Sequence, residues 1–472
     1  MEKENVFKRT WHSFVGFFKN ASTDNLYSLN GCVPVHKASL FGLQHILAMF
    51  IANLAPILVV MSAVNVSGID KTSVLQNAMF IAGVGTIIQL YPIWRFGGRL
   101  PIVVGVSFTF VGMLIYVGLQ YGYGTMIGSL IIGGVFIAIM GLFAKYWKRF
   151  IKPIVSSLVV LAIGLSLLSV GGDYFAGGSS AAPEAVFSFC SWQSLLVGTI
   201  TFLACLLFQV FIKGSWKNLS TLFGIVIGYL VSLCFPGAID FSAFKNVKVF
   251  ALPRIYNFGE IRFNIWAILP VCLIFLVAST EGIGDVTATC KEGLGRGPTD
   301  KEISGALACD GLVSAASACF GCLPLTTFSQ NVGIVGQTKV VNRFTILLGS
   351  FVLIIAGLFP PVAAAIQTIP YPVLGGALTM LFASIVVTGV KMVAELGFTP
   401  KNVLILTIAL GVGYGFSLVS GFYSALGPVA ENILSNPVAM IFLLSLILSF
   451  VIPEKWGQKK EEPVVEEPPK EE

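Results

Sequence analysis

Three carboxyl groups fall inside apolar runs of this sequence: Glu281, Asp285 and Asp310. Glu281 and Asp285 are four residues apart, which puts them on one face of a helix. A charged group at the centre of a bilayer costs about 2.5–3.5 kcal/mol on the lowest scale, so such acids turn towards a bundle interior or a watery path. No Lys or Arg lies in any of these runs to neutralise them, so a proton or a metal cation is the natural partner. The plain alternative is a neutral acid hydrogen-bonded between helices, and it weighs most for Asp285, nearest an interface. His45, preceded by Gln44, lies in the first apolar run. An intramembrane histidine of this kind is an interhelical hydrogen-bonding residue more often than a proton relay.

Two other segments interrupt helical patterning. Leu100-Pro101-Ile102-Val103-Val104-Gly105-Val106-Ser107-Phe108 mirrors Leu323-Pro324-Leu325-Thr326-Thr327-Phe328-Ser329-Gln330-Asn331. Each has Leu-Pro, a short extended stretch, then a polar residue opening a helical run. Extended backbone inside a membrane leaves N–H and C=O groups without helical partners, and it survives only when buried in protein or lining a cavity. Crossing near the midplane, the two stretches can pair as short strands. The half-helices that follow then aim their N-termini at one point, suited to electron-rich ligand atoms. Phe108 sits at the first of these breaks, where a planar ligand could stack on it. The bland reading, a pair of proline kinks, suits the first segment better than the second. In the second, Thr326, Thr327, Ser329, Gln330 and Asn331 make a lipid-facing helix improbable.

Helices must position these groups, and composition says where. Of 472 residues, 56% are hydrophobic and 11% charged, against about 25% charged in an average soluble protein. Lipid is therefore the solvent. Fourteen runs reach the length of a span, near 39–64, 74–94, 101–119, 124–144, 153–170, 192–212, 218–235, 263–285, 302–319, 323–338, 344–366, 371–390, 402–422 and 434–452. With both termini inside, the inner loops carry Arg95, Arg99, Lys145, Lys148, Arg149, Lys152, Lys213, Lys217, Lys291, Arg296, Lys301, Lys339, Arg343, Lys391 and Lys401. The outer loops carry Lys71 and four more basic residues in the long segment 236–262, and long loops report orientation weakly. That segment divides the chain into seven spans and seven. An odd number per half makes the second half enter from the opposite side, the topology of an inverted repeat. The fold class is thus an all-α polytopic membrane protein with short strands in spans 3 and 10.

The remaining features exclude more than they assign. The net charge of +6 resides in loops and tails, which argues against nucleic-acid binding. Nine cysteines show no metal-ligand pattern, and the CxxC of Cys319 and Cys322 runs into an apolar segment, so it reads as packing. No cofactor or metal motif is present, nor a nucleophile that would make Glu281, Asp285 and His45 an intramembrane enzyme. The polar N-terminus, ahead of a first apolar run near Ser39, predicts no cleaved signal peptide. The charged, proline-containing run 461–472 predicts a disordered tail.

The segment Gln330-Asn331-Val332-Gly333-Ile334-Val335-Gly336-Gln337-Thr338-Lys339 fits the signature of the nucleobase–ascorbate transporters, the nucleobase:cation symporter 2 family, at every defined position. Gln44-His45 resembles that family's Gln-His motif, and Ser279-Thr280-Glu281-Gly282-Ile283-Gly284-Asp285 its span-eight acid motif. Asp310 stands where the family's span-nine acid stands. The resemblance covers about Lys37 to Pro453. It implies a core domain (spans 1–4 and 8–11, residues 39–147 and 263–369) and a gate domain (spans 5–7 and 12–14, residues 148–235 and 370–453). Flanking these are an N-terminal cytoplasmic segment 1–38, an outer loop 236–262 and a cytoplasmic tail 454–472. It also implies a homodimer in the cell membrane with both termini cytoplasmic.

On the same resemblance, Glu281 and Gln330 bind a base through paired hydrogen bonds, Phe108 stacks on its ring, and Asn331 shapes the site. Backbone around Ser107 and Phe328 assists. A purine dione offers N–H donors beside C=O acceptors, which a carboxylate and a carboxamide match. Gln at position 330 resembles the purine branch rather than the uracil branch, while Ser107 and Lys339 tilt towards urate or towards urate with xanthine. The expected function is purine import by proton symport, in preference to sodium, with Asp310, Asp285, His45 and Gln44 as the polar coupling network. A sulfate-transporter-like anion exchanger or channel is the rival of another class, and a non-transporting sensor stays open.

Overall fold

A computed structural model describes residues 21–64, 71–178, 187–245, 247–255, 259–419, 421–453 and 456. Residues 1–20 of the N-terminal segment and the charged run 461–472 lie outside the described residues.

The first half contains α1 (Val35–Val64), α2 (Lys71–Leu90), β1 (Val104–Val106), α3 (Val111–Tyr121), α4 (Tyr123–Leu142), α5 (Pro153–Phe175), α6 (Trp192–Phe211) and α7 (Ser220–Ser232). After the long connection come α8 (Ile265–Ala288), α9 (Asp300–Cys319), β2 (Leu325–Thr327), α10 (Ser329–Thr338) and α11 (Arg343–Leu358). The chain continues through α12 (Pro360–Gln367), α13 (Tyr371–Glu395), α14 (Pro400–Ile408) and α15 (Pro437–Val451).

Eight helices among the described residues are long and apolar enough to cross a bilayer, or nine if α11 and α12 count as one bent span. That pair departs from the straight run expected over 344–366: it bends by 81°. Pro360 and Pro361 are the cause, because proline forces the residue before it out of helical geometry, and Phe359 sits at φ −113°, ψ 89°. Helix α9 is less apolar than a lipid-facing span, being rich in Ala, Ser and Gly and mostly buried in protein. It packs along α4 so closely that a Cβ at Gly141 would strike Ala308 and one at Gly311 would strike the backbone of Ala138. Small residues bring helices together in this way where lipid supplies no hydrophobic drive. Helix α5 packs along α13 in the same manner through Gly164 and Gly389.

Helix α9 starts with a capping box in which the Thr299 side chain accepts from the Glu302 amide and the Glu302 carboxylate accepts from the Thr299 amide. Arg296 grips the same carboxylate at 2.5 and 2.9 Å. Cys322 lies just beyond the helix, buried, with its thiol 3.2 Å from the Val74 carbonyl.

The two proline-broken segments meet. β1 and β2 pair antiparallel, with Val104 opposite Thr327, Gly105 opposite Thr326 and Val106 opposite Leu325. Backbone bonds from Ser107 to the Pro324 carbonyl (3.0 Å) and from Phe328 to the Val103 carbonyl (3.0 Å) extend the ribbon at both ends. All six strand residues are buried.

Candidate functional site

Helical spacing turns Glu281 and Asp285 towards the same neighbours, the start of α10 and the turn that follows β1. The Thr109 hydroxyl donates to Glu281 Oε2 at 2.8 Å. The Ser329 hydroxyl lies 2.9 Å from Asp285 Oδ2 and 3.4 Å from Glu281 Oε1. Thr327 donates its hydroxyl to Asp285 Oδ2 at 3.2 Å and its amide to Asp310 Oδ2 at 3.3 Å. Gln89 on α2 donates to Asp310 Oδ1 at 3.3 Å while its carbonyl accepts from the Gly98 amide. The three acids thus share one network whose bridges are Thr327 and Ser329.

Glu281 is half-buried and both aspartates are buried. The ion pairs found among the described residues, Lys148–Asp300, Arg262–Glu260 and Arg296–Glu302, lie elsewhere. A hydroxyl carries one proton, so Ser329 donates to one carboxylate at a time. A proton on either acid would let both contacts form at once. On the far side of Asp310 a cavity of about 10 Å³, lined by Ser279, Asp310, Ser314 and Thr326, offers room for about one water.

Backbone geometry explains the site's position. Pro324 ends α9's excursion, Leu325–Thr327 run extended, and Ser329 opens α10. No side chain caps the N-terminus of α10, leaving its first N–H groups to the site. Gln330, in that first turn, is half-buried, and its side chain makes no hydrogen bond among the described residues. On the opposing segment, Ser107 accepts from the Thr109 amide at 3.3 Å and so shapes the turn that aims Thr109 at Glu281. Phe108 is 8% exposed and meets Phe382 of α13 edge-on, with ring centroids 5.1 Å apart. Phe108 and Thr109 also line a cavity of about 80 Å³ shared with Ile163 and Ser166 of α5 and with Asn436. The Phe328 ring lies against Gly105, where a Cβ would come within 2.8 Å of it.

Asn331 and His45 stand apart from the acids. The Asn331 amide nitrogen is 2.9 Å from His45 Nδ1 and 3.1 Å from the His45 carbonyl oxygen, tying α10 to α1. Among the described residues no hydrogen bond links His45 to Glu281, Asp285 or Asp310. Gln44, half-buried, precedes it on α1. Residues that sequence reasoning did not single out include Thr109, Gln89 and Phe382, and Thr327 and Ser329 appeared only as members of a polar run. Gln89 carried a signal, being an amide in an apolar span; Thr109 and Phe382 carried none.

A family model described as a permease family matches residues 36–421. The chain is 32% identical over 459 residues to a putative purine permease of Clostridium perfringens (strain 13 / Type A), covering 96% of each. It is 30% identical to the xanthine permease XanQ of Escherichia coli (strain K12), over 93% of this chain and 96% of the relative. The uric acid permease PucK of Bacillus subtilis (strain 168) is also 30% identical, over 87% and 94%. Among solved structures, the transmembrane domain of a cyanobacterium bicarbonate transporter, BicA, superposes with TM-score 0.60 at 15% identity, covering 88% of this chain and 97% of that one. At that identity the likeness is one of fold.

Proposed function

The chain belongs to the nucleobase–ascorbate transporter family of permeases, and from that premise we propose that it imports xanthine, urate or both together with a proton, by alternating access. The observation that carries this reading is the seating of Glu281 against the uncapped start of α10, where Gln330 follows Ser329. A half-buried carboxylate is steadied by Thr109 and Ser329, and the carboxamide of Gln330, which makes no hydrogen bond among the described residues, follows Ser329 in the chain. Together they offer acceptors and a donor to the alternating N–H and C=O edge of an oxidised purine. Phe108, which lines a cavity together with the Thr109 that holds Glu281, offers an aromatic surface.

The same reading assigns α1–α4 with α8–α12 to a core and α5–α7 with α13–α15 to a gate, in fourteen spans related by an inverted repeat. The packing of α4 on α9 and of α5 on α13, each within one such group, supports this division. Alternating access is then a movement of core against gate, with the protein a homodimer in the cell membrane and both termini in the cytoplasm. An anion exchanger would favour a basic or purely backbone pocket, and three carboxyls around the ribbon argue against it. Asp310 is assigned the coupling proton, because Glu281 needs its charge to accept base N–H groups. The charged tail is assigned to the cytoplasm.

The test is uptake of labelled xanthine in competition with purines and pyrimidines, at two pH values, with and without sodium and a protonophore. Inhibition by xanthine or urate, collapse with protonophore and indifference to sodium are expected. Inhibition by uracil alone would remove the purine assignment, and a sodium requirement without response to protonophore would replace the cation.

A further inference from the structure

A two-stranded ribbon has two outer edges. With 103 paired to 328 and 107 to 324 by backbone bonds, the amides of Val104, Val106, Leu325 and Thr327 point away from the partner strand. At an ordinary sheet edge such groups bond water. These four residues are between 0% and 2% exposed, so protein must serve them. Four side chains do. Thr86 Oγ1 on α2 accepts from the Val104 amide at 3.1 Å, and Asn53 Oδ1 on α1 accepts from the Val106 amide at 2.7 Å. On the other edge Ser314 accepts from the Leu325 amide at 3.0 Å and Asp310 from the Thr327 amide.

We propose that Asn53 and Thr86 are positioning residues for substrate binding, holding β1 where it delivers Ser107 and Phe108 to the site. This rests on the purine-binding reading of that site. Two observations set Asn53 apart from a general core amide. Its Nδ2 is buried without a hydrogen-bond partner among the described residues, so the side chain fits the Val106 bond at the expense of its own donor. The space around the bond is also closed, since a Cβ on Gly105 would lie 3.0 Å from Asn53 Oδ1 and 2.8 Å from both Met49 Cε and Phe328 Cδ2. β1 is therefore seated along its outer edge on two helices: on α1 through Asn53 and on α2 through Thr86. Losing either acceptor leaves a buried N–H unserved and lets the strand shift, moving Phe108 relative to Glu281. Both acceptors are neutral, whereas the acceptor for Thr327 on the opposite edge is Asp310. The ribbon is thus fixed on the β1 side and, on the β2 side, held by the acid to which coupling is assigned.

The experiment uses the purified full-length protein in lipid nanodiscs and the same protein in cells. Hydrogen–deuterium exchange of the peptide spanning 102–108 should be faster in Asn53→Leu and Thr86→Val than in the wild type. In cells KM for the transported purine should rise about five- to a hundredfold, the range given by an orphaned buried N–H, with Vmax per molecule retained. Thr86→Ser, which keeps the acceptor, should return both readouts towards wild type. Thr86→Val is close to isosteric and serves if Asn53→Leu does not accumulate. Unchanged exchange in the ribbon would overturn the proposal, as would a loss of Vmax at constant KM or a Thr86→Ser variant as impaired as Thr86→Val. A wild type that carries no purine would refute the substrate reading instead, and the exchange result would still decide the role of the two side chains.

Discussion

Replacing Thr109 by valine isolates the support given to Glu281. The side chains are nearly the same size, so the change removes one hydroxyl, the donor 2.8 Å from Glu281 Oε2. The contact that remains from Ser329 is long, 3.4 Å, and is shared with Asp285 at 2.9 Å. A hydrogen bond to a charged group contributes about 1.5–3 kcal/mol when well buried. Glu281 is half-buried, so water compensates in part, and about 1–2 kcal/mol is the reasonable range. Substrate binding that depends on a fixed carboxylate should weaken by the same amount, roughly five- to thirtyfold in KM. Vmax should change less, because Thr109 serves orientation rather than coupling. The assay is initial-rate uptake of labelled xanthine and urate over a concentration series, normalised to protein in the membrane. Thr109→Ser, which keeps the hydroxyl, should stay near wild type. A purine KM within about twofold of wild type in Thr109→Val would refute the claim that this bond sets the carboxylate for binding.

Gln330→Glu exchanges a donor for a second acceptor and should weaken purine affinity about five- to a hundredfold, read by competition against labelled xanthine. Asp310→Asn should bind purine yet fail to accumulate it against a gradient, and concentrative uptake by this variant would move the coupling role to another group. With the exposed Cys190 and Cys234 replaced by serine, a cysteine at exposed Gln120 should react with an impermeant thiol reagent from outside and one at exposed Arg95 only from inside. Burial pushes the Glu302 carboxyl up, but its bonds from Arg296 and Thr299 outweigh that and hold it below its ordinary range. Its contribution is therefore present above the unfolded value near pH 4.3 and fades as pH falls through the lower folded one. Glu302→Gln should lower thermal stability at pH 7, and its deficit against wild type should shrink below about pH 4 in a melting series.

What the sequence revealed depended on the distance over which its physics acts. The spacing of Glu281 and Asp285 is a local helical fact. Pro101 and Pro324 announce local breaks that apolar helices in lipid do not make without reason. The polar run from Thr326 to Asn331 marked the second break as lining something, and Ser329 and Thr327 prove to be its bridges. Thr109 gave no such sign, because its partner Glu281 is 172 residues away and reaches it only through the crossing of two broken spans. Gln89 and Asp310 are likewise 221 residues apart. The bend between α11 and α12 was written in Pro360-Pro361, but the apolar run continues through it, and hydropathy counts residues without sensing direction. His45 read as an interhelical hydrogen-bonding residue by its type and place, and its ring meets Asn331 on another helix.

Charge balance gives a reason for separating the acid that reads the base from the acid that couples. Xanthine brings no charge and urate brings a negative one, so a core carrying ionised carboxyls through the membrane field does work of about 2.3 kcal/mol per charge per 100 mV with either cargo. Among the described residues no Lys or Arg is ion-paired with the three acids to cancel that charge. One proton on the cluster removes one unit, and it cannot reside on Glu281 without removing an acceptor from the base. Asp310 meets β2 through the Thr327 amide, and a protonated carboxyl retains a carbonyl oxygen to accept that bond. It can therefore take a proton without releasing the strand. Asp285 is less free, because its Oδ2 holds both Thr327 and Ser329. On the proposed division, Asp310 carries the proton while Glu281 keeps its charge for the base, and Thr327, Asp285 and Ser329 form a hydrogen-bonded path between them.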